Sequence, residues 1–282
     1  MARERSGPTA QQRVLAQRLQ ALRAGAGLSV TAAAEALGAH PATVRRIEQA
    51  RTSLDGGQVR TLLDAYGAPP SLVEAFLAQL AQANLPGWWH EWRDVMDGWQ
   101  LELMGVESAS SLVRVWDPAL VPALLRTPAY ARAVEAAQRP DLPPAVRERR
   151  VDLLAERQKR LAQQGSRVWA VMPAGVLLTD VGAGPEVMDE QTGALAAAAD
   201  RRNVTLQLHP RETLLHPLVG VSALTLYRLD APDLPDHVVT EGGLPGTAVH
   251  SDSPTVVTRY RMLMDRSCAM ALHPTSTREA LG

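Results

Sequence analysis

Cysteine is almost absent from this chain. Cys268 is the only one in 282 residues, so no intrachain disulfide can form and a reducing cytoplasm is the expected compartment. Lysine is as scarce, with Lys159 alone against 28 arginines. Together with abundant alanine, that bias reads as genomic base composition. Long apolar runs are missing as well. The longest, Val168 to Leu178, falls short of the roughly 20 residues a bilayer span needs, so no membrane partner is expected. The opening MARERSGPTAQQR has no apolar signal core. Standard catalytic motifs are also lacking: there is no GxSxG elbow, no P-loop and no HExxH. Gly182-Ala183-Gly184-Pro185 is only a GxG fragment, and its proline has no N–H for a phosphate. His209 and His216, and Cys268 and His273, lack the company of a metal site. The expectation is no catalytic residue, no metal and no cofactor, with Cys268 a small core residue.

Charge is near balance overall, at −1, but it is unevenly placed. Residues 1 to 66 carry nine arginines against five acids. A basic head on an acidic body fits a nucleic-acid-reading domain joined to something else. Within that head, SVTAAAEALGAHPATVRRIEQ (29–49) reads as two short helices joined by a glycine turn. Ser29 is a good N-cap. Val30, Ala33, Ala34 and Leu37 recur at spacings of three and four. Gly38 can take the left-handed conformation that ends a helix, and Pro41 suits a first helical position. Val44 and Ile47 face inward, which leaves Thr43, Arg45 and Arg46 outward. A small residue at Ala34, a turn glycine and branched apolar residues in the second helix are the requirements of a helix-turn-helix. Helices are expected at 9–24, 29–37, 41–49, 56–66 and 70–83 after a polar tail at 1–8, with Leu85-Pro86-Gly87 as the domain boundary.

Residues 13–67 resemble the Cro/phage-repressor, or xenobiotic-response-element, type of helix-turn-helix domain. The matching residues are Leu19, Leu22, Arg23, Gly27, Leu28 and Ser29, the turn Leu37-Gly38, and VRRIEQAR at 44–51. The resemblance implies double-stranded operator DNA as partner, with the second helix of the motif in the major groove. His40, Ala42, Thr43 and Arg46 would face the groove, and Ser29, Arg45 and Arg51 would lie nearer phosphates. It also implies a homodimer on a palindromic site. Three positions depart from the family. Val30 stands where glutamine is usual, His40 where a serine or threonine cap is common, and Ala50 where glycine is usual. The missing glutamine removes one DNA contact.

Beyond residue 86 the chain is expected to form a larger α/β or α+β domain, 86–282, beside the mainly α five-helix bundle of 1–85. WWHEWRDVMDGW reads as a helix with Trp88, Trp92, Val95 and Trp99 on one face, either buttressing the domain or walling a ligand. Further helices are expected at 106–115, 119–123, 127–138, 144–164, 185–200, 254–271 and 275–281. Strands are expected at 167–172, 204–209, 223–229, 237–241 and 246–250. The first two strands with their helix form a crossover unit, and the later ones a meander.

Residues 88–281 resemble the C-terminal domain of unknown function carried by many actinobacterial regulators of this type. The match rests on WWHEWRDV, PALVPALLRTPAYARAV, ERQKRL, GPEVMDEQ and NVTLQLHP. The resemblance implies a signal-receiving domain for a small ligand or a small acidic partner protein. Family members tend to have glutamate at Ala174, arginine near Leu178, phenylalanine near Ala223 and tyrosine just before the Glu241 strand end. These losses predict a mainly apolar pocket lined by Trp88, Trp92, Trp99, Ala174, Leu178 and Ala223, with Asp180, His216, Tyr227 and Glu241 as its polar groups. The favoured reading is a sequence-specific transcription regulator. The alternative is an enzyme or small-molecule binding protein on a regulator scaffold, with weakened DNA binding.

Overall fold

The computed structural model describes residues 9–51, 54–212, 215–229 and 234–281; the tail at 1–8 lies outside them. The chain divides into two compact units. One runs to Asp94 and takes in Gln100–Val106. The other comprises Val95–Trp99 and nearly everything from Glu107 onward.

The first unit opens with five helices: α1 (Ala10–Gly25), α2 (Val30–Leu37), α3 (Pro41–Glu48), α4 (Gly56–Ala65) and α5 (Pro70–Ala83). Each expected helix is present, displaced by no more than a residue or so, because each is delimited by local chemistry. Thr9 closes a reciprocal capping box with Gln12 at the start of α1. Asp55 Oδ1 accepts from the backbone N–H groups of Gly57 and Gln58 at the start of α4. Leu19, Ala34, Val44, Ile47, Leu62, Phe76 and Leu80 form one core.

The tryptophan segment departs from expectation. It is a 3-10 turn at Trp88–Trp92, and the next helix, α6, begins only at Gly98 and ends at Glu107. The single helical face of Trp88, Trp92, Val95 and Trp99 is therefore not formed. The buried ring is that of Trp89, which is 3% exposed. It folds so closely over Gly87 that a Cβ there would lie 2.4 Å from it, which is why a glycine follows Pro86.

The second unit is built on a six-stranded mixed sheet of β1 (Ser110–Trp116), β2 (Arg167–Pro173), β3 (Val204–His209), β4 (Leu224–Leu229), β5 (His237–Glu241) and β6 (Ala248–Ser251). The order is β3-β2-β1-β4-β5-β6. β1, β2 and β3 are parallel neighbours, and β4, β5 and β6 continue from β1 as an antiparallel meander. The crossovers carry α7 (Pro128–Gln138), α8 (Pro144–Gln164) and α9 (Pro185–Ala199). One face of the sheet buries Ala170, Met172, Leu206 and Leu208 against Tyr130, Val134 and Leu195. The other buries Trp116, Val171, Leu224 and Val238 against α10 (Pro254–Met270) through Val257, Met264 and Cys268. A last helix, α11 (Pro274–Leu281), packs on α9 and β3.

Two expected helices are corrected. Residues 110–116, which overlap most of the expected helix at 106–115, are strand β1 at the centre of the sheet, and only a 3-10 turn at Ala123–Leu125 stands near the helix expected at 119–123. A strand covered on both faces carries no apolar–polar alternation. Val113 and Trp116 are both fully buried although they point to opposite faces. Arg114, the one charged residue of the strand, is itself only 8% exposed. Its guanidinium lies 4.7 Å over the Trp169 ring, bonds Asp265 at 2.5 Å and donates to Cys268 Sγ at 3.4 Å.

Candidate nucleic-acid interface and the C-terminal polar clusters

The helix-turn-helix is assembled from backbone chemistry at three points. The Ser29 hydroxyl accepts from the Ala32 N–H at 3.1 Å and starts α2. Gly38 ends it at φ 62°, ψ 35°. His40 then caps α3 through Nδ1, which accepts from the Ala42 N–H at 3.2 Å. The histidine does the work of the usual hydroxyl cap. Val30, in the place of the family's glutamine, is half-buried and packs on the core. Ala50 sits at φ 51°, the left-handed region where glycine costs nothing and a Cβ does; its buried methyl, 2% exposed, offsets part of that cost.

Ser29, His40, Ala42, Arg45, Arg46 and Arg51 are exposed, and Thr43 is half-buried. Pairing decides which of the unit's arginines remain available. Arg13 pairs with Glu102, and Arg60 bonds Glu74 at 2.9 Å. Arg18 bonds Gln79 at 2.8 Å. Arg23 makes two bonds to Glu48, at 2.7 and 3.0 Å, and Tyr66 adds its hydroxyl to Glu48 at 3.4 Å. Arg45, Arg46 and Arg51 have no side-chain partner among the described residues. They lie on α3 and just after it, so the unspent positive charge is gathered at the helix the motif offers to DNA. The Arg23–Glu48 bond escaped the sequence reading, although both residues belong to the matched motif.

The residues expected to line a ligand pocket are distributed differently. Tyr227 faces the α8 side of the sheet and is buried. Arg157, on α8, is the neighbour whose charge bears on it, together with Glu107 and Glu241. Burial pushes the Tyr227 phenol up, while Glu241 lies exposed at the end of β5. His216 lies on the opposite face, its ring 5.0 Å from that of Trp116. Asp180 folds back on its own loop, where Oδ1 accepts from the N–H groups of Gly182, Ala183 and Gly184. Leu178 is 65% exposed, and Ala174 packs at the edge of the α7–α9 core. The carbonyl of Ala223 accepts from the Glu241 N–H at 2.8 Å. Trp88 meets Trp89 edge-on at 5.9 Å, and the Trp99 ring lies 6.0 Å from that of His250. The structure does not gather these residues into one site: Tyr227 and His216 lie on opposite faces of the sheet.

A helix-turn-helix domain model matches residues 14–76. A second model, described as a domain of unknown function (DUF5753), matches residues 100–282, well over half of the chain. The chain belongs to the DUF5753 family. No curated protein and no solved structure is a significant match. The DUF5753 domain here follows a DNA-binding helix-turn-helix, and no helix among the described residues is long and apolar enough to cross a membrane.

One polar cluster in the DUF5753 domain has a measurable consequence. His209, 1% exposed, stacks on His216 at 4.1 Å, and its Nε2 lies 2.7 Å from Ser267 Oγ. Its Nδ1 has no partner among the described residues. Burial, with His216 beside it, lowers the His209 pKa to about 4. A depressed histidine favours its neutral form when folded. Its contribution is complete above the unfolded pKa of about 6.5 and is lost as pH falls toward 4, up to about 3 kcal/mol. Urea denaturation at descending pH should show this loss, and His209→Gln should flatten it. Equal pH slopes for the two proteins would remove His209 as the cause.

Proposed function

We propose that this chain is a sequence-specific transcription regulator of the cytoplasm. It pairs as a homodimer on a palindromic operator, and its DUF5753 domain receives a small-molecule signal. The observation that carries the DNA reading is the placing of Arg45, Arg46 and Arg51, exposed around α3 and without a side-chain partner among the described residues, while the other described arginines of the bundle are held by side-chain partners. Thr43 and Arg46 project into the major groove, and His40 and Ala42 approach the base edges from the start of the helix. Ser29, Arg45 and Arg51 contact phosphates.

Fluorescence anisotropy on the upstream DNA of its own gene tests this. Arg46→Ala should weaken specific binding by about 1–3 kcal/mol and relax preference at one base pair. Arg45→Ala should weaken all sequences alike and lower the salt slope by about one. A duplex with a single half-site should bind far more weakly than the palindrome. Wild-type affinity in Arg46→Ala would end its base-reading role.

A second reading of the input is favoured by α10. Arg259, Met262, Arg266 and Met270, spaced three and four apart, are all exposed, and such a stripe suits a small acidic partner protein. An enzyme reading has less support. Its best pair, Ser267 and His209, is fully buried, and His209 Nδ1 has no third group to orient it among the described residues.

A further inference from the structure

We infer that the DUF5753 domain binds a small carboxylate with a compact apolar body, an aromatic acid fitting best, in a cavity beneath the C-terminal ends of α8 and α9. This deepens the ligand-sensing reading and rests on it only for the regulatory consequence. The cavity holds 170 Å³ and opens to solvent past Ala162 and Arg201. Its origin is in the sequence of α9. Ala194 and Ala198, four residues apart, turn the same helical face toward the starts of β2 and β3. The larger Met188 and Leu195 fill the α9 packing elsewhere; here two methyl groups leave a gap floored by Val168 and Val204 and closed by Leu125 and Leu161. An apolar protein cavity of about 150 Å³ takes one benzene, so this space suits one ring with one small substituent.

The polar groups on the wall decide the substituent. Gln158 spends its amide on the carbonyls of Ala123 and Arg126, at 3.2 and 2.9 Å. Ser166 donates to the Ser110 carbonyl at 2.7 Å, and Asn203 to the Ser166 carbonyl at 3.3 Å. These neutral donors are committed to backbone, and the wall's other cation, Arg126, donates to the Val121 carbonyl at 2.7 Å and pairs with Asp117 at 3.5 Å. Arg201 is different: exposed at the mouth, it has no side-chain partner among the described residues. Its sequence neighbour, Asp200, is held by Arg278 at 2.5 Å. The C-terminal ends of α8 and α9 present a partial negative charge. In those last turns the carbonyls of Leu161, Ala162 and Ala198 accept from the N–H groups of Ser166, Gly165 and Arg201, and the full charge of Arg201 outweighs the partial charge that the helix ends retain. It selects an anion and makes a charge-assisted, bidentate pair with a carboxylate.

Calorimetry of the whole chain with benzoate, and with benzamide as its neutral isostere, tests the site without DNA. Benzoate should bind with a Kd of about 0.1–1 mM, appropriate to so small a ligand, and benzamide at least about tenfold more weakly. Arg201→Gln should bring benzoate to the level of benzamide. Ala198→Phe should fill the cavity and abolish both. Ala194→Leu, at a half-buried position that tolerates a larger side chain, does the same should the first variant not fold. No heat with benzoate at about 10 mM, equal affinity for benzamide, or unchanged binding in a folded cavity-filled variant would each overturn the proposal. Adding benzoate to the operator anisotropy reads the sensor role separately. Binding that leaves operator affinity unchanged upholds the site and overturns only its regulatory use.

Discussion

Replacing Arg23 by methionine should destabilise the helix-turn-helix unit by about 3–5 kcal/mol. Glu48 is only 4% exposed, and Arg23 provides two of the hydrogen bonds it receives, from the end of α1 across to α3. Without the guanidinium a charged carboxylate stays buried with a single long bond from the Tyr66 hydroxyl at 3.4 Å. Domain stabilities are about 5–15 kcal/mol, so a bundle this small would be close to unfolding. DNA binding would go with it, because Glu48 is the last residue of α3 and holds that helix on the core. Urea denaturation of the whole chain, followed by operator anisotropy, measures both effects. The control is Arg23→Met with Glu48→Leu, which removes both charges and should recover most of the loss. A single variant within about 0.5 kcal/mol of wild type, the range of an ordinary surface change, would show that the carboxylate finds solvent or another partner.

That pair also illustrates what could be read from the sequence. Arg23 stood there as one of nine head arginines and as a residue of the helix-turn-helix match. Only the fold reveals that Glu48, 25 positions on, neutralises it. The same limit applies to Arg114. A helix signal is local: caps at Thr9, Ser29 and Asp55, left-handed glycines and prolines at first positions bound α1 to α5 almost to the residue. A strand covered on both faces has no local signature, so β1 was misread while the meander strands, with clearer turns between them, were not. The tryptophan segment failed for a related reason. Spacing alone suggested a helical face, yet Gly87 and Trp89 set a close packing that breaks it after one short turn. The cavity under α9 was invisible because alanines that leave a void look the same in sequence as alanines that close a tight contact. The outward set on α3 was legible because the inward positions, Val44 and Ile47, are fixed by helical period and leave Arg45 and Arg46 no other direction.

In the DUF5753 domain the corresponding experiment is Arg157→Met, also expected to cost about 3–5 kcal/mol. Arg157 donates to both oxygens of Glu107, at 2.9 and 2.8 Å, with the two side chains 11% and 4% exposed. Burial alone would lower the Arg157 pKa, but Glu107 outweighs it and holds the arginine charged. Tyr227, buried beside the pair, feels the charge of both. With the arginine gone, the buried Glu107 carboxylate would be left without its partner. The deficit should therefore be largest near neutral pH and shrink as acid protonates the carboxyl, since a neutral carboxyl is far less costly to bury. Arg157→Met with Glu107→Gln removes the stranded charge and should restore much of the stability at neutral pH. Differential scanning calorimetry of the three proteins at pH 7 and at mildly acidic pH separates the outcomes. A deficit in Arg157→Met that does not diminish with acid, or that persists in the double variant, would assign the loss to the missing arginine stem rather than to the unpaired carboxylate.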